Sequence, residues 1–142
     1  MHKTEQLMDY LKNNTNINDF FNKFKKDFHN KKQIEVMNDL LMDKNLTKTD
    51  IVNRTQLSRS YIYKIFNGEK IPTRDKLLQI SFAMGANLDE TDDLLRLFAH
   101  SSLYPKVKRD GIIIFAINKK MSVFDVNELL LENKEKPLFQ LD

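Results

Sequence analysis

Cysteine is absent from the sequence, and glycine and proline are scarce, with three of each in 142 residues. Without cysteine the chain can form no disulfide, no thiol nucleophile and no cysteine-ligated zinc site, and its composition is compatible with a reducing cytoplasm. The shortage of backbone breakers favours helices over a strand-rich fold. Ten phenylalanines and four tyrosines supply enough large side chains for an ordinary hydrophobic core.

Long hydrophobic runs are also missing. The longest, residues 112–117, has six residues, whereas a membrane-spanning helix needs about 20. The first residues, MHKTEQLMDYLKNN, carry acids and amides where a secretory signal would have an apolar stretch. We therefore expect a cytoplasmic protein without a membrane partner.

Residues that could carry metal or acid–base chemistry are not grouped. The histidines are scattered along the chain: His2, His29 and His100. Four acids form one cluster at the predicted start of a helix: Asp89, Glu90, Asp92 and Asp93. Carboxylates in that position offset the helix dipole, and we prefer this interpretation to a cation site because no acid–histidine spacing is typical of a metal site. We therefore expect that the protein is not an enzyme and that it has no catalytic residue, metal, cofactor or small-molecule ligand.

Positive charge is concentrated in one segment. The chain has a net charge of +3 and a pI near 9.0. Residues 46–76 hold seven basic and three acidic residues, so the remainder of the chain is slightly acidic. A basic segment of this kind is the electrostatic footprint of a protein that binds a polyanion.

Hydrophobic periodicity and capping residues predict a series of helices. They cover residues 4–13, 17–28, 33–44, 47–54 and 58–67, then a helix opened by Pro72 and Thr73 and ended by Gly85, one that starts at Asn87, and a last one from Ser122 to about Glu132. The apolar run 112–117 is compatible with a buried strand or a buried helix. We favour a helix because no hairpin turn or partner strand is evident, and we therefore predict an all-α fold.

The stretch LSRSYIYKIFNGEKIP, residues 57–72, has two contrasting sides. Ile62, Ile65 and Phe66 recur at helical spacing and should face a core. The opposite side, which we call the polar face, carries hydrogen-bond donors and no acid: Arg59, Ser60, Tyr63, Lys64 and Asn67. A protruding helix with such a face fits the major groove of DNA, which is about 12 Å wide.

The segment LTKTDIVNRTQLSRSYIYKIFNGEKIPTRDKLLQISFAMG resembles the helix-turn-helix domain of bacterial XRE-type, lambda-repressor-like transcriptional regulators. The family pattern comprises a polar-capped helix, a hydrophobic pair, a serine that caps the recognition helix, an isoleucine four residues later, then a glycine and a proline. The matching residues are Thr47, Ile51, Val52, Ser58, Ile62, Gly68 and Pro72. The resemblance covers about residues 33–98.

The resemblance implies a five-helix domain and two kinds of DNA contact. The DNA-binding domain would span residues 31–100, with an N-terminal helical arm, 1–30, and a C-terminal helical extension, 101–142. The base-reading positions fall on Arg59, Ser60, Tyr63 and Lys64, and Arg59 is the strongest because its planar fork matches guanine O6 and N7. The phosphate-contact positions fall on Thr47, Lys48, Asn67, Lys70 and Arg74, and contacts of this kind fix register rather than sequence choice.

Two positions depart from the family pattern. Val52 stands where the family usually has alanine, and Gln56 stands where the turn between the two short helices usually has glycine. Glutamine adopts the left-handed conformation only at a cost of about 1 kcal/mol. Either Gln56 is strained, or the turn differs slightly from the family's.

The terminal segments are expected to pack or dimerise rather than to read DNA. The predicted last helix would present Asp125, Glu128 and Glu132, which phosphates repel, so a second DNA-reading pair within residues 111–132 is the less favoured alternative. The pseudo-palindromic sites that the family binds, with half-sites about 34 Å apart, imply a homodimer on double-stranded DNA. Surplus apolar positions in 7–28 and 112–130 are the candidate interfaces.

Two further alternatives stay open. Lys23, Lys25 and Lys26 lie off the apolar stripe of the helix 17–28; we interpret them as a solvated face, with a basic arm that touches phosphate as the alternative. The whole scaffold could also serve a non-catalytic protein-interaction adaptor or an antitoxin-like partner. Such a protein should have lost the basic residues of its polar face, which this sequence retains.

Overall fold

The computed structural model describes residues 4–13, 16–18 and 30–140, and every regular element in these ranges is a helix. The helices are α1 (Thr4–Asn13), α2 (Asn30–Asp43), α3 (Lys48–Asn53), α4 (Arg59–Phe66), α5 (Arg74–Ala83), α6 (Leu88–Leu97), α7 (Lys108–Asn118) and α8 (Val123–Glu132). The predicted all-α class is confirmed. The predicted helix 17–28, with Lys23, Lys25 and Lys26, falls outside the described residues apart from positions 17 and 18.

The N-termini of α3 and α4 are set by side chains that the sequence indicated. The Thr47 hydroxyl accepts from the Asp50 N–H at 3.2 Å, and the Asp50 carboxylate accepts from the Thr47 N–H at 2.8 Å. This capping box starts α3. Ser58 caps α4 by accepting from the Tyr61 N–H at 3.1 Å. Because each cap satisfies N–H groups that the first turn leaves unpaired, the starts of α3 and α4 are legible in the sequence.

The C-terminal ends of α4 and α2 are also determined by residues close to them in the sequence. After α4, Gly68 adopts φ +80°, its N–H donates to the Ile65 carbonyl, and the Glu69 N–H donates to the Lys64 carbonyl at 2.8 Å. These two bonds form a Schellman motif, which requires a left-handed residue and so favours glycine. Asn45 ends α2 in the same conformation at φ 58°. Both stops agree with the predicted helix ranges, 58–67 and 33–44.

One hydrophobic core serves helices α2 to α8. It runs from Met37 on α2 to Leu138 in the C-terminal tail and includes Ile113 on α7. These three side chains are at most 5% exposed. The run 112–117 lies within α7, so the predicted helix there is confirmed. The predicted C-terminal extension, 101–142, shares this core with the predicted DNA-binding domain, 31–100.

Two ion pairs fasten α7 to the first turn of α5. The Arg74 guanidinium donates to both carboxylate oxygens of Asp110 at 3.1 Å each. The Arg109 guanidinium donates to both oxygens of Asp75, at 2.9 and 3.1 Å. We call these the crossed ion pairs, since two adjacent residues of one helix each bind one of two adjacent residues of the other. Paired bidentate bonds fix orientation as well as distance.

The tail beyond α8 is irregular, but it is anchored. The buried Asn127 side chain accepts from the Leu138 N–H at 2.7 Å and donates to the Phe139 carbonyl at 3.0 Å. The Phe139 ring packs edge-on against Phe124, with centroids 5.6 Å apart. The tail therefore closes the core at Leu138.

Within the described ranges, every helix is too short or too polar to cross a membrane.

Candidate nucleic-acid interface

Helix α4 divides into the two sides that its sequence predicted. Ile62, Ile65 and Phe66 are 0%, 2% and 1% exposed, and they belong to the core. On the polar face Arg59, Ser60, Tyr63 and Asn67 are exposed and Lys64 is half-buried. Residues 101–140 pack on α5 and α6 and leave the polar face open to solvent. The outer side of α4 is therefore accessible to a partner.

Arg59 is oriented by two neighbours. Its Nη1 donates to the Thr49 hydroxyl at 3.1 Å, which links the start of α4 to α3. Its guanidinium carbon lies 6.0 Å from the centroid of the Tyr63 ring. Of the five N–H donors of an arginine, this arrangement uses one, so Arg59 retains a pair of donors for a further bidentate contact.

Tyr63 also joins Arg59 to Lys48. The Lys48 ammonium lies 5.2 Å from the same ring centroid, within the range of a cation–π contact. Lys48 opens α3, beside the capping box. There the hydrogen bonds from the Thr47 N–H and the Thr47 hydroxyl hold the pKa of the Asp50 carboxyl below its usual value. The Asp50 carboxylate is therefore bonded within the helix cap, whereas the Lys48 ammonium contacts the Tyr63 ring.

The basic side chains on this surface form no ion pair with any described carboxylate. Among the described residues, no carboxylate oxygen comes within 4.0 Å of the nitrogen atoms of Lys48, Arg59, Lys64 or Lys70. Basic residues without counterions raise the local positive potential. The surface formed by the start of α3 and the outer side of α4 is therefore electrostatically suited to an anionic partner.

Arg74 lies apart from this surface. Besides its bonds to Asp110, its Nε donates to the Ser101 carbonyl at 3.0 Å and its Nη2 donates to the Ser102 carbonyl at 3.3 Å. Its side chain is 22% exposed. The structure therefore gives Arg74 a role in fastening the C-terminal segment to α5. The other predicted phosphate-contact residues, Thr47, Lys48, Asn67 and Lys70, are exposed or half-buried around the ends of α3 and α4.

The turn before α4 resolves the departure at Gln56. Gln56 does not adopt a positive φ; apart from glycine, the described residues that do so are Asn45, Ala99, Lys120 and Lys134. The Thr55 hydroxyl donates to the Ile51 carbonyl at 2.9 Å and accepts from the Leu57 N–H at 3.2 Å. The side chain of Thr55 thus closes the turn, so no glycine is needed and the left-handed strain considered for Gln56 is absent.

The structure gives three members of the acidic cluster separate partners. Glu90 caps α6 and accepts from the Lys44 ammonium at 2.8 Å. Burial alone would raise the pKa of Glu90, but the bonds from Lys44 and the Asn87 N–H outweigh it and lower the pKa. Asp92 accepts from the Leu103 N–H, and Asp93 pairs with Arg96. In the part of the chain that the structure describes, no group of three or more histidine or acidic residues is placed to hold a metal ion.

Sequence reasoning missed three residues near this surface. They are Thr49, Tyr61 and Lys76. The Thr49 hydroxyl accepts a hydrogen bond from Arg59, and the Lys76 ammonium lies 4.7 Å from the centroid of the Tyr61 ring. Each contact joins residues of two different helices. The sequence contains no signal for them, because the packing angle of the helices decides which side chains meet.

In a comparison with known protein families, residues 38–90 match the family model described as helix-turn-helix. The matched residues extend from α2 into α6 and include both short helices and the whole polar face. Neither a curated protein nor a solved structure matches the chain.

Proposed function

Because residues 38–90 form a helix-turn-helix domain of the XRE type, we propose that this protein is a transcriptional regulator that binds a specific sequence in double-stranded DNA. The observation that supports the proposal best is the open polar face of α4, whose basic side chains have no carboxylate partner among the described residues. In domains of this type the second short helix enters the major groove. Here that helix is α4.

The proposed base contacts come from Arg59, Ser60, Tyr63 and Lys64. Arg59 reads guanine through O6 and N7, since its remaining donors keep the fork geometry that these two acceptors require. Lys64 supplies a point charge that also reaches a guanine acceptor but discriminates less. The Tyr63 ring contacts a thymine methyl group, and Ser60 adds little discrimination because a hydroxyl both donates and accepts.

The proposed phosphate contacts come from Thr47, Lys48, Asn67 and Lys70. They flank the polar face on both sides, so they hold α4 in one register along the groove while the base contacts select the sequence. We leave Arg74 out of this set, because its guanidinium is already bonded to Asp110 and to two backbone carbonyls.

We also propose that the protein binds a pseudo-palindromic site as a homodimer. One helix-turn-helix unit reads few base pairs, and two units bound one DNA turn apart double the number of contacts. Apolar side chains are exposed in both regions that the sequence indicated: Met8 and Leu11 on α1, at 52% and 42%, and Phe115 and Phe124 on α7 and α8, at 49% and 44%.

Binding to duplex DNA at increasing salt concentration tests the proposal. If several phosphates are neutralised, the affinity for DNA from upstream of the protein's own gene should fall steeply between about 50 and 200 mM salt. Footprinting on that DNA should show a protected site with two related halves. An adaptor or antitoxin-like protein that uses the scaffold only for protein contacts would give neither the steep salt dependence nor a footprint.

A further inference from the structure

Tyr61 lies on α4 beside the polar face and is approached by two ammonium groups. Its side chain is half-buried. The Lys70 Nζ lies 5.6 Å from the centroid of its ring, and the Lys76 Nζ lies 4.7 Å from it. Lys70 comes from the loop after α4, and Lys76 comes from the first turn of α5. Three segments of the fold therefore converge at one aromatic ring.

Neither lysine pairs with the acid that precedes it in the sequence. Glu69 adjoins Lys70 and Asp75 adjoins Lys76, yet no described carboxylate lies within 4.0 Å of either ammonium. Asp75 is held away by Arg109 in the crossed ion pairs. Two like charges at one ring repel each other, and an anion close to both offsets that repulsion.

The Tyr61 hydroxyl supplies a third group. Burial raises the pKa of Tyr61, and a hydrogen bond from the Thr73 N–H partly offsets the effect. The hydroxyl therefore stays protonated at neutral pH. Its own proton is left to donate to a further acceptor. One hydroxyl donor and two ammonium groups match the oxygen atoms of a phosphate.

We propose that Tyr61, Lys70 and Lys76 form a binding site for one backbone phosphate of duplex DNA. This inference rests on the proposed function, and it adds Tyr61 and Lys76 to the DNA interface. Tyr61 lies three residues before Lys64 on α4, and residues three apart are neighbours on a helix surface, so the bound phosphate lies at the Lys64 edge of the polar face. The crossed ion pairs hold the first turn of α5, and with it Lys76, against the C-terminal segment. The site is therefore already ordered before DNA binds, which limits the entropy lost on association.

Lys76→Gln tests the site, with Lys119→Gln as the matched control. Lys119 is also an exposed lysine beside an aromatic ring, 5.7 Å from the Phe115 centroid, but it lies at the end of α7. Both substitutions remove one positive charge. Lys76→Gln should weaken binding to all duplexes about fivefold at about 150 mM salt, and it should flatten the slope of log affinity against log salt by about 0.9. Lys119→Gln should change neither quantity.

Tyr61→Phe separates the hydroxyl from the charges. It should weaken binding about fivefold through the lost hydrogen bond but leave the salt slope unchanged, since no charge is removed. Replacing single phosphates with neutral methylphosphonates should identify one position that weakens binding of the unsubstituted protein and weakens binding of Lys76→Gln by a smaller factor. The far-ultraviolet circular dichroism melting curve of Lys76→Gln should match that of the unsubstituted protein, because Lys76 is exposed. The curve of Tyr61→Phe should lie within a few degrees of it, because the ring is retained.

The possible failures are distinguishable. If the unsubstituted protein binds duplex DNA but Lys76→Gln behaves like Lys119→Gln, the phosphate site is wrong and the proposed function stands. If the unsubstituted protein shows no salt-dependent binding to any duplex, both proposals are wrong.

Discussion

Arg59 is the side chain on which the choice of DNA sequence should depend most. We expect Arg59→Ala to cost about 1–3 kcal/mol on the cognate site and to relax the preference for guanine at one position. The reason is that alanine removes the two donors that pair with O6 and N7. Competition binding with duplexes that carry each base at that position measures the change.

Arg59→Lys is the control for charge. It keeps the positive charge but loses the planar fork, so it should preserve affinity for unrelated DNA while it loses discrimination at that position. If Arg59→Ala weakened all sequences equally and Arg59→Lys restored all of them, Arg59 would be a phosphate contact and our assignment of base reading would be incorrect.

Lys48 should affect the overall affinity for DNA rather than the choice of sequence. We expect Lys48→Ala to weaken all sequences alike and to flatten the salt slope by about 1, because a phosphate contact carries no sequence information. Titrations of a cognate and an unrelated duplex at several salt concentrations give both quantities. A selective loss on the cognate duplex would show that Lys48 takes part in base reading, directly or through its contact with the Tyr63 ring.

At the scale of the single helix, the Ser58 cap stabilises the helix that carries the polar face. Helix α4 has only eight residues, and helices this short are not stable alone. Ser58→Ala removes the oxygen that accepts from the Tyr61 N–H, so we expect it to lower the free energy of unfolding by about 1 kcal/mol. Urea unfolding followed by circular dichroism measures it.

Ser60→Ala is the matched control, since Ser60 is exposed on the same helix and makes no cap bond. It should leave the free energy of unfolding within about 0.5 kcal/mol of the original value. Equal effects of the two serine substitutions would mean that the Ser58 cap contributes nothing specific.

The elements were largely predictable because their signals are local. Thr47 with Asp50, Ser58, Asn87 with Glu90 and Gly68 lie within a few residues of the N–H or carbonyl groups that they satisfy. The turn at Gln56 was not predictable in this way. The sequence allowed either a strained Gln56 or a turn that differs from the family's. The second is found, because the Thr55 hydroxyl bonds backbone groups on both sides of the turn.

At the scale of the whole molecule, the crossed ion pairs should be a major link between the C-terminal segment and the rest of the chain. The Asp110 side chain is 8% exposed, and it also accepts from the Tyr104 N–H at 3.0 Å. We expect Asp110→Ala to lower the free energy of unfolding by about 2–4 kcal/mol, because it leaves the Arg74 charge without its partner in a half-buried position. Chemical unfolding followed by circular dichroism provides the value.

Asp93→Ala is the corresponding control. Asp93 also pairs with an arginine, Arg96, but its side chain is 71% exposed, and an exposed pair contributes at most about 1 kcal/mol. If the two substitutions had similar small effects, the crossed ion pairs would not fasten the C-terminal segment as we infer.

Assembly is the second property of the whole molecule that can be tested. We expect light scattering to give the mass of a dimer at the concentrations used for binding, and the dimer to occupy one pseudo-palindromic site. Replacing the exposed Phe115 or Phe124 with serine should shift the equilibrium towards monomer if α7 and α8 form the interface, whereas Met8→Ser should do so if α1 forms it. A monomer with full affinity at every concentration would exclude the dimer.

The sequence by itself indicated most of the described helices, the residues that start α3, α4 and α6, and the two-sided character of α4, because periodicity and capping act between residues that are near neighbours in the chain. Tertiary structure decided which charges remain available. Arg74 and Lys76 are two residues apart on the same helix, yet Arg74 turns to Asp110 while Lys76 lies over Tyr61. That difference depends on where α7 packs, and an ion pair between residues 36 positions apart leaves no pattern in the local sequence.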